Sequence, residues 1–115
     1  MKAVLAVALG GFLGAPLRFH LDRLLRHGGF PWGTLAANTL GCLLLGVIAG
    51  RLDGTAYALL GIGLCGALTT FSTLGYETVQ LLEDGGDREA VLSVLANIGA
   101  GLGAAWLGWW LGGAL

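Results

Sequence analysis

The chain has 115 residues, of which 56% are hydrophobic and only 11% are charged. Soluble domains average about 25% charged residues, so this composition indicates a multi-pass membrane protein that sits in the lipid bilayer of the cell membrane. The formal net charge is −1, whereas nucleic-acid-binding proteins usually carry a strongly basic surface. We therefore expect no nucleic acid among its partners.

Four apolar segments come close to the length needed to cross a bilayer, which is about 20 helical residues for roughly 30 Å of hydrocarbon. They are predicted at residues 3–25, 32–50, 57–82 and 90–111. The first is interrupted by Pro16 and Arg18, and we expect a kink near its end. Only short connections remain, at 27–31, 51–55 and 83–89. The predicted fold is therefore all-α, a single four-helix transmembrane domain over residues 1–115.

Glycine is abundant, and its spacing indicates close helix crossings. The chain has 22 glycines spread through the apolar segments. Three pairs are spaced four residues apart, which places both members on one helix face: Gly10 and Gly14, Gly46 and Gly50, and Gly99 and Gly103.

The second span carries a neutral amide, Asn38, with Thr34 one turn before it. An amide offers two N–H donors and an acceptor oxygen. One interpretation is a hydrogen bond between helices. The other is an anion ligand, since uncharged donors can bind an anion and still release it.

The third span contains a polar run, Gly66–Thr73, where a membrane helix is normally uniformly apolar. Irregular backbone at membrane depth persists only where it is buried in protein or lines a wet cavity. Broken helices of this kind present carbonyls and amides to ions. The run therefore predicts a broken third helix with an ion site.

Several side chains in and after this run are candidate anion ligands. Thr69, Thr73 and Glu77 are spaced four apart and form a polar stripe, with Ser72 beside it. Threonines in a helix also bond to their own backbone, which is the structural alternative. The edge of the Phe71 ring is electropositive and could face a small anion, although a packing role is the ordinary one.

Two ionisable residues lie in or near the spans. Glu77 is a functional candidate by its position, as a proton carrier, a gate or a partner of Arg18, or it lies at the membrane surface without a specific role. Arg18 either extends to the headgroups or gathers anions at a pore mouth.

The charge distribution and the size of the chain both favour an oligomer. Lys2 and Arg51 would lie on one side of the membrane, and the other side would hold Arg18, Arg23, Arg26 and Arg88. This small bias would allow insertion in both orientations. Four helices also fill their own centre with side chains, so an oligomer is a natural solution, and the small charge bias allows an antiparallel homodimer.

Together these motifs resemble the Fluc/CrcB family of fluoride channels. The matching segments, in family order and spacing, are Gly10–Arg18 (GGFLGAPLR), Gly33–Asn38 (GTLAAN) and Gly63–Thr73 (GLCGALTTFST), followed by Glu77. The resemblance covers nearly the whole chain. The second pathway phenylalanine that the family often has is replaced by Leu74.

The resemblance implies an antiparallel, dual-topology homodimer with two fluoride pathways that export cytosolic fluoride passively. A structural sodium ion would lie at the dimer interface, held by backbone carbonyls of Gly66 and Thr69. Asn38 would donate an amide N–H to the fluoride ion, and Phe71 would present the edge of its ring to the ion. The remaining fluoride-pathway residues would be Ser72, Thr73 and Glu77 as a polar relay and Arg18 at the vestibule.

Two other functions are weighed against the channel. A small proton-coupled multidrug transporter needs a membrane carboxylate in the first helix, where the first acid, Asp22, comes only after Arg18. A non-conducting scaffold would need the glycines but not Asn38 with the polar run. We expect no enzyme, since no nucleophile–base pair or metal cluster is evident.

Overall fold

The computed structural model describes residues 1–25 and 30–114. Four helical spans follow in chain order, and each is long and apolar enough to cross a membrane. Helix α1 is Lys2–Leu24 and α2 is Trp32–Ala49. The last span is a single helix, Asp87–Ala114, which we number α5. The prediction of four spans is confirmed, whereas the predicted loop at 27–31 lies largely outside the described residues.

The third span, Gly54–Glu83, is broken into two helices. Helix α3 runs through three consecutive segments: Gly54–Tyr57, the π-helical Ala58–Cys65, and Gly66–Leu68. Helix α4 then begins at Phe71 and ends at Glu83. The two residues between them have extended backbone, which confirms the predicted break.

Helix α1 continues through Pro16 to Leu24 as one α-helix. A proline inside a helix removes one backbone hydrogen bond, and transmembrane helices tolerate this where neighbouring groups compensate. Pro16 therefore lies inside α1 without ending it, and the expected kink stays a prediction.

Glycine sets how the spans pack, with α1 mainly against α3 and α2 mainly against α5. In the first pair, a Cβ on Gly10 would collide with the Leu59 carbonyl, and one on Gly63 would lie 2.6 Å from the Val7 carbonyl. In the second pair, a Cβ on Gly108 would collide with the Leu43 carbonyl. These crossings bring backbone against backbone.

Two of the three predicted glycine pairs serve these crossings. Gly10 and Gly14 face α3, and Gly46 and Gly50 face α5. The third pair serves no such crossing within the described part of the chain, since both of its glycines are exposed and no described residue lies within 4 Å of a Cβ placed there. Spacing alone identifies a helix face but not whether another helix of the same chain covers it.

We predict that Gly108→Ala destabilises the protein by about 1–3 kcal/mol, because a methyl group there overpacks the crossing of α2 and α5. The matched control is Gly113→Ala on the same helix, where a Cβ meets nothing within 4 Å. That variant should be neutral or slightly stabilising, since alanine favours helix more than glycine does. Thermal unfolding in detergent, followed by circular dichroism, measures both. Equal unfolding temperatures for the two variants would contradict the packing argument.

Candidate functional site

Thr70 is the centre of the break in the third span. The backbone of Thr69 has ψ 155° and that of Thr70 has φ −153° and ψ 121°, so both residues are extended. The Thr70 hydroxyl oxygen accepts a hydrogen bond from the Thr73 N–H at 3.1 Å and caps the start of α4. Threonine is a favoured N-cap residue because it satisfies one of the amides that a helix start leaves unpaired.

The Asn38 side chain, which lies on α2, forms hydrogen bonds to the backbone of this break. Its Oδ1 accepts the Thr70 N–H at 2.6 Å, and its Nδ2 donates to the Thr70 carbonyl at 3.1 Å. In an unbroken helix that N–H would bond to the carbonyl of Gly66. The amide of Asn38 thus replaces the helical bond and satisfies backbone groups that the break exposes. Thr70 is only 8% exposed, so leaving them unpaired would be costly.

Asn97 of α5 extends this contact into a chain of three residues. The Asn38 Nδ2 also donates to Asn97 Oδ1 at 2.8 Å, and the Asn97 Nδ2 donates to the Ser93 carbonyl at 2.8 Å. The backbone groups fix both amide orientations, since an N–H only donates and a carbonyl only accepts. We call Thr70, Asn38 and Asn97 the amide relay.

A second contact joins α2 to α4. The hydroxyl of Thr34, which is 3% exposed, donates to Glu77 Oε1 at 2.6 Å. Glu77 is half-buried and thus lies within the helix bundle rather than only at its surface. Both predicted polar residues of α2, one turn apart, therefore contact the third span.

Two cavities lie next to Thr70. The smaller, about 200 Å³, brings Arg18 of α1 together with Thr34 and Thr73. The larger, about 320 Å³, is lined by Asn38, Cys42, Leu45, Thr69, Thr70, Phe71, Leu74, Asn97 and Ile98. Thr70 lines both. The predicted stripe of Thr69, Thr73 and Glu77 is thus divided at the break, with its two threonines on different cavities.

Phe71 and Ser72 lie at the outer surface of the single chain. The Phe71 side chain is 87% exposed and borders the larger cavity, and Leu74 borders it too. Ser72 is exposed, with its hydroxyl 3.4 Å from that of Thr70. Ser72 therefore contacts the amide relay through the Thr70 hydroxyl, and Phe71 borders the cavity that the relay lines.

Gly66 and Thr69, the predicted cation ligands, flank the end of α3. Gly66 is exposed, and a Cβ there would meet no atom of the described residues within 4 Å. The Thr70 N–H that would occupy its carbonyl in a continuous helix is donated to Asn38 instead. The Thr69 hydroxyl donates back to the Cys65 carbonyl at 3.0 Å. Backbone carbonyl oxygens at a helix break are the kind of ligand that a hard cation such as sodium takes.

Asn97 and Thr70 are polar residues to which the sequence alone assigned no role. Thr70 belongs to the polar run, but its capping role depends on where the new helix begins. The sequence offers one signal for it, since threonine is a favoured N-cap residue. Ser93, one turn from Asn97, is fully buried and its hydroxyl has no hydrogen-bond partner among the described residues.

Comparison with known proteins identifies the family. A family model described as "CrcB-like protein, Camphor Resistance (CrcB)" matches residues 5–109. The chain belongs to the CrcB family. Its relatives include the fluoride-specific ion channel FluC 1 of Streptomyces avermitilis, 48% identical over 96% of this chain and 96% of the relative. The fluoride-specific ion channel FluC of Thermus thermophilus is 44% identical over 100% of this chain and 98% of the relative.

Membership of the CrcB family confirms the resemblance that the three motifs indicated. The matched region covers most of all four spans and includes every residue of the amide relay. Together with the four spans, it makes the chain a multi-pass integral protein of the cell membrane.

We predict that Thr70→Val lowers the free energy of unfolding by about 0.5–2 kcal/mol, because it removes the oxygen that caps α4 while keeping the side-chain shape. Thr70→Ser keeps the hydroxyl and is the matched control, expected to lose less. Denaturant or thermal unfolding of the purified protein in detergent measures the difference. If the valine variant is as stable as the serine variant, the hydroxyl has no capping role.

Proposed function

We propose that the protein is a fluoride channel that lets cytosolic fluoride leave the cell passively, as an antiparallel homodimer with a structural sodium ion. The single observation that supports this best is the amide relay at the break, which brings uncharged donors and two cavities to membrane depth. The relatives, which are named fluoride-specific ion channels rather than enzymes, support the choice of ion.

The hydrogen-bond donors of this site suit a small anion, which a channel must bind and then release. Fluoride is strongly hydrated, so a pore has to replace several of its hydrogen bonds from water at once. Asn38 supplies an amide, Ser72 and Thr73 supply hydroxyls, and the Phe71 ring supplies an electropositive edge. None of these carries a fixed positive charge that would trap the ion.

Arg18 has the position of a vestibule residue in this proposal. It is half-buried and shares the smaller cavity with Thr34, Thr70 and Thr73. A cation at the mouth of a narrow cavity raises the local concentration of anions. Glu77, which is bonded to Thr34 of this cavity, would adjoin the pathway together with Ser72 and Thr73.

A second copy of the chain would complete the site. The Phe71 ring and the Gly66 backbone are both exposed in one chain, although both are proposed to contact ions at membrane depth. An exposed site at that depth would face lipid. In an antiparallel dimer, Gly66 and Thr69 of each copy would hold the sodium ion through backbone carbonyls, and the ion would fix the two copies together.

The two alternatives fit the structure less well. Asp22, the first acid of the chain, lies near the end of α1 and lines the smaller cavity with Arg18, not the middle of the span that a proton-coupled multidrug transporter requires. A non-conducting scaffold gives no reason for the amide relay, which a continuous apolar helix would make unnecessary.

The proposal predicts that liposomes containing the purified protein release fluoride in sodium buffer, measured with a fluoride electrode, and release chloride far more slowly. Neutral and hydroxyl donors in a narrow site favour the smaller anion. Release no faster than from empty liposomes would refute the channel function.

The same assay tests the sodium ion. Replacing sodium with a large organic cation on both sides should reduce fluoride release, because the proposed carbonyl site would be empty. Unchanged release would refute the structural sodium and leave the channel function standing.

The pathway itself is tested by Phe71→Ile and Asn38→Asp. The first removes the ring edge and keeps an apolar side chain, and the second places a negative charge where fluoride would bind. Both should reduce fluoride release by about tenfold or more. Size-exclusion chromatography checks that the assembly is retained. Normal release by both variants would refute the pathway assignment.

A further inference from the structure

Asn97 is a buried polar residue whose role the proposed function does not yet explain. It is 7% exposed on α5 and contacts Asn38, the proposed amide donor. Its own Nδ2 is tethered to the Ser93 carbonyl one turn back, so its oxygen is held toward Asn38. The inference below rests on the proposed fluoride channel.

The hydrogen bonds of Asn38 leave one hydrogen that can be exchanged. Its oxygen accepts the Thr70 N–H, and one of its two amide hydrogens goes to the Thr70 carbonyl. These two bonds hold the broken backbone. The other amide hydrogen goes to Asn97 Oδ1, at 2.8 Å. Only this last bond can be broken without leaving the N–H or the carbonyl of Thr70 without its partner.

The exchangeable hydrogen lies where an ion could reach it. Asn38 and Asn97 both line the cavity of about 320 Å³, together with the aromatic ring of Phe71. A fluoride ion in that cavity would compete with Asn97 Oδ1 for the same hydrogen. Hydrogen bonds to an anion are roughly twice as strong as those to a neutral acceptor, so the ion would displace the amide oxygen.

We propose that Asn97 is an exchangeable acceptor that sets the fluoride affinity of the pathway. Its oxygen pairs with the Asn38 N–H when the site is empty and releases it when fluoride binds. Without this acceptor a buried N–H would be left unpaired in the empty site, and fluoride would bind more tightly. Asn97 thus lowers the affinity enough for the ion to leave, which conduction requires.

Two variants of Asn97 should shift the fluoride concentration for half-maximal release in opposite directions. Asn97→Leu removes the acceptor, so this concentration should fall by about five- to tenfold, with a lower maximal rate. Asn97→Asp loses the tether to the Ser93 carbonyl, but its carboxylate offers the Asn38 N–H a stronger acceptor that also repels the anion. The concentration should then rise by about tenfold. Liposome release at a series of fluoride concentrations measures both values.

The control is Leu102→Ile, which changes an exposed side chain of the same helix that lines neither cavity. It should leave the half-maximal concentration unchanged. If Asn97 only stabilises the fold, both Asn97 variants lower the maximal rate without moving the half-maximal concentration in opposite directions, and the proposal is overturned.

A measurement on the unaltered protein covers the case in which neither variant assembles. In ¹⁵N-labelled protein in detergent micelles, fluoride titration should shift the side-chain amide signals of both Asn38 and Asn97. Chloride at the same concentrations is the control. Shifts at both residues with fluoride support the exchange, and fluoride release without any shift at Asn97 overturns it. Absence of fluoride release from the unaltered protein refutes the proposed function itself.

Discussion

The architecture of the site depends on one pair of hydrogen bonds, between the Asn38 amide and the Thr70 backbone. A transmembrane helix cannot break in lipid unless its unpaired N–H and C=O groups find partners within the protein. Asn38 supplies both kinds of partner with one side chain, because an amide carries a donor beside an acceptor. Thr70 then caps the next helix with its hydroxyl. The break is therefore a stable feature of the fold, fixed from a neighbouring helix.

Much of this could be predicted from the sequence. The four spans follow from apolar length, and the break follows from a polar run within an apolar segment. Asn38 and Thr34 stand out because polar side chains inside a span are rare. Their partners could not be predicted, since the Thr34–Glu77 and Asn38–Thr70 contacts depend on the relative height and rotation of two helices. Sequence periodicity within each helix contains neither quantity.

The contact of Asn97 with Asn38 is even harder to predict from the sequence. A single asparagine in a glycine-rich apolar helix has no spacing relation to the polar run, so nothing in the sequence connects it to the break. The connection arises because α5 packs on α2 through Gly46 and Gly108, where backbones approach without intervening side chains. The exposed pair Gly99 and Gly103 has equivalent spacing but no such neighbour. Packing between helices, rather than pattern within them, therefore determines which polar residues meet.

In the proposed channel, the pairing of Asn38 with Thr70 would serve two ions of opposite charge. Drawing the Thr70 N–H away from the helix leaves the Gly66 carbonyl without its usual partner, which suits a cation. The same pairing fixes the Asn38 amide so that one hydrogen points to Asn97 and the larger cavity, which suits an anion. A continuous helix would offer neither group. A charged side chain in place of Asn38 would bind one ion too strongly and leave the broken backbone half-satisfied, so a neutral amide meets both requirements at once.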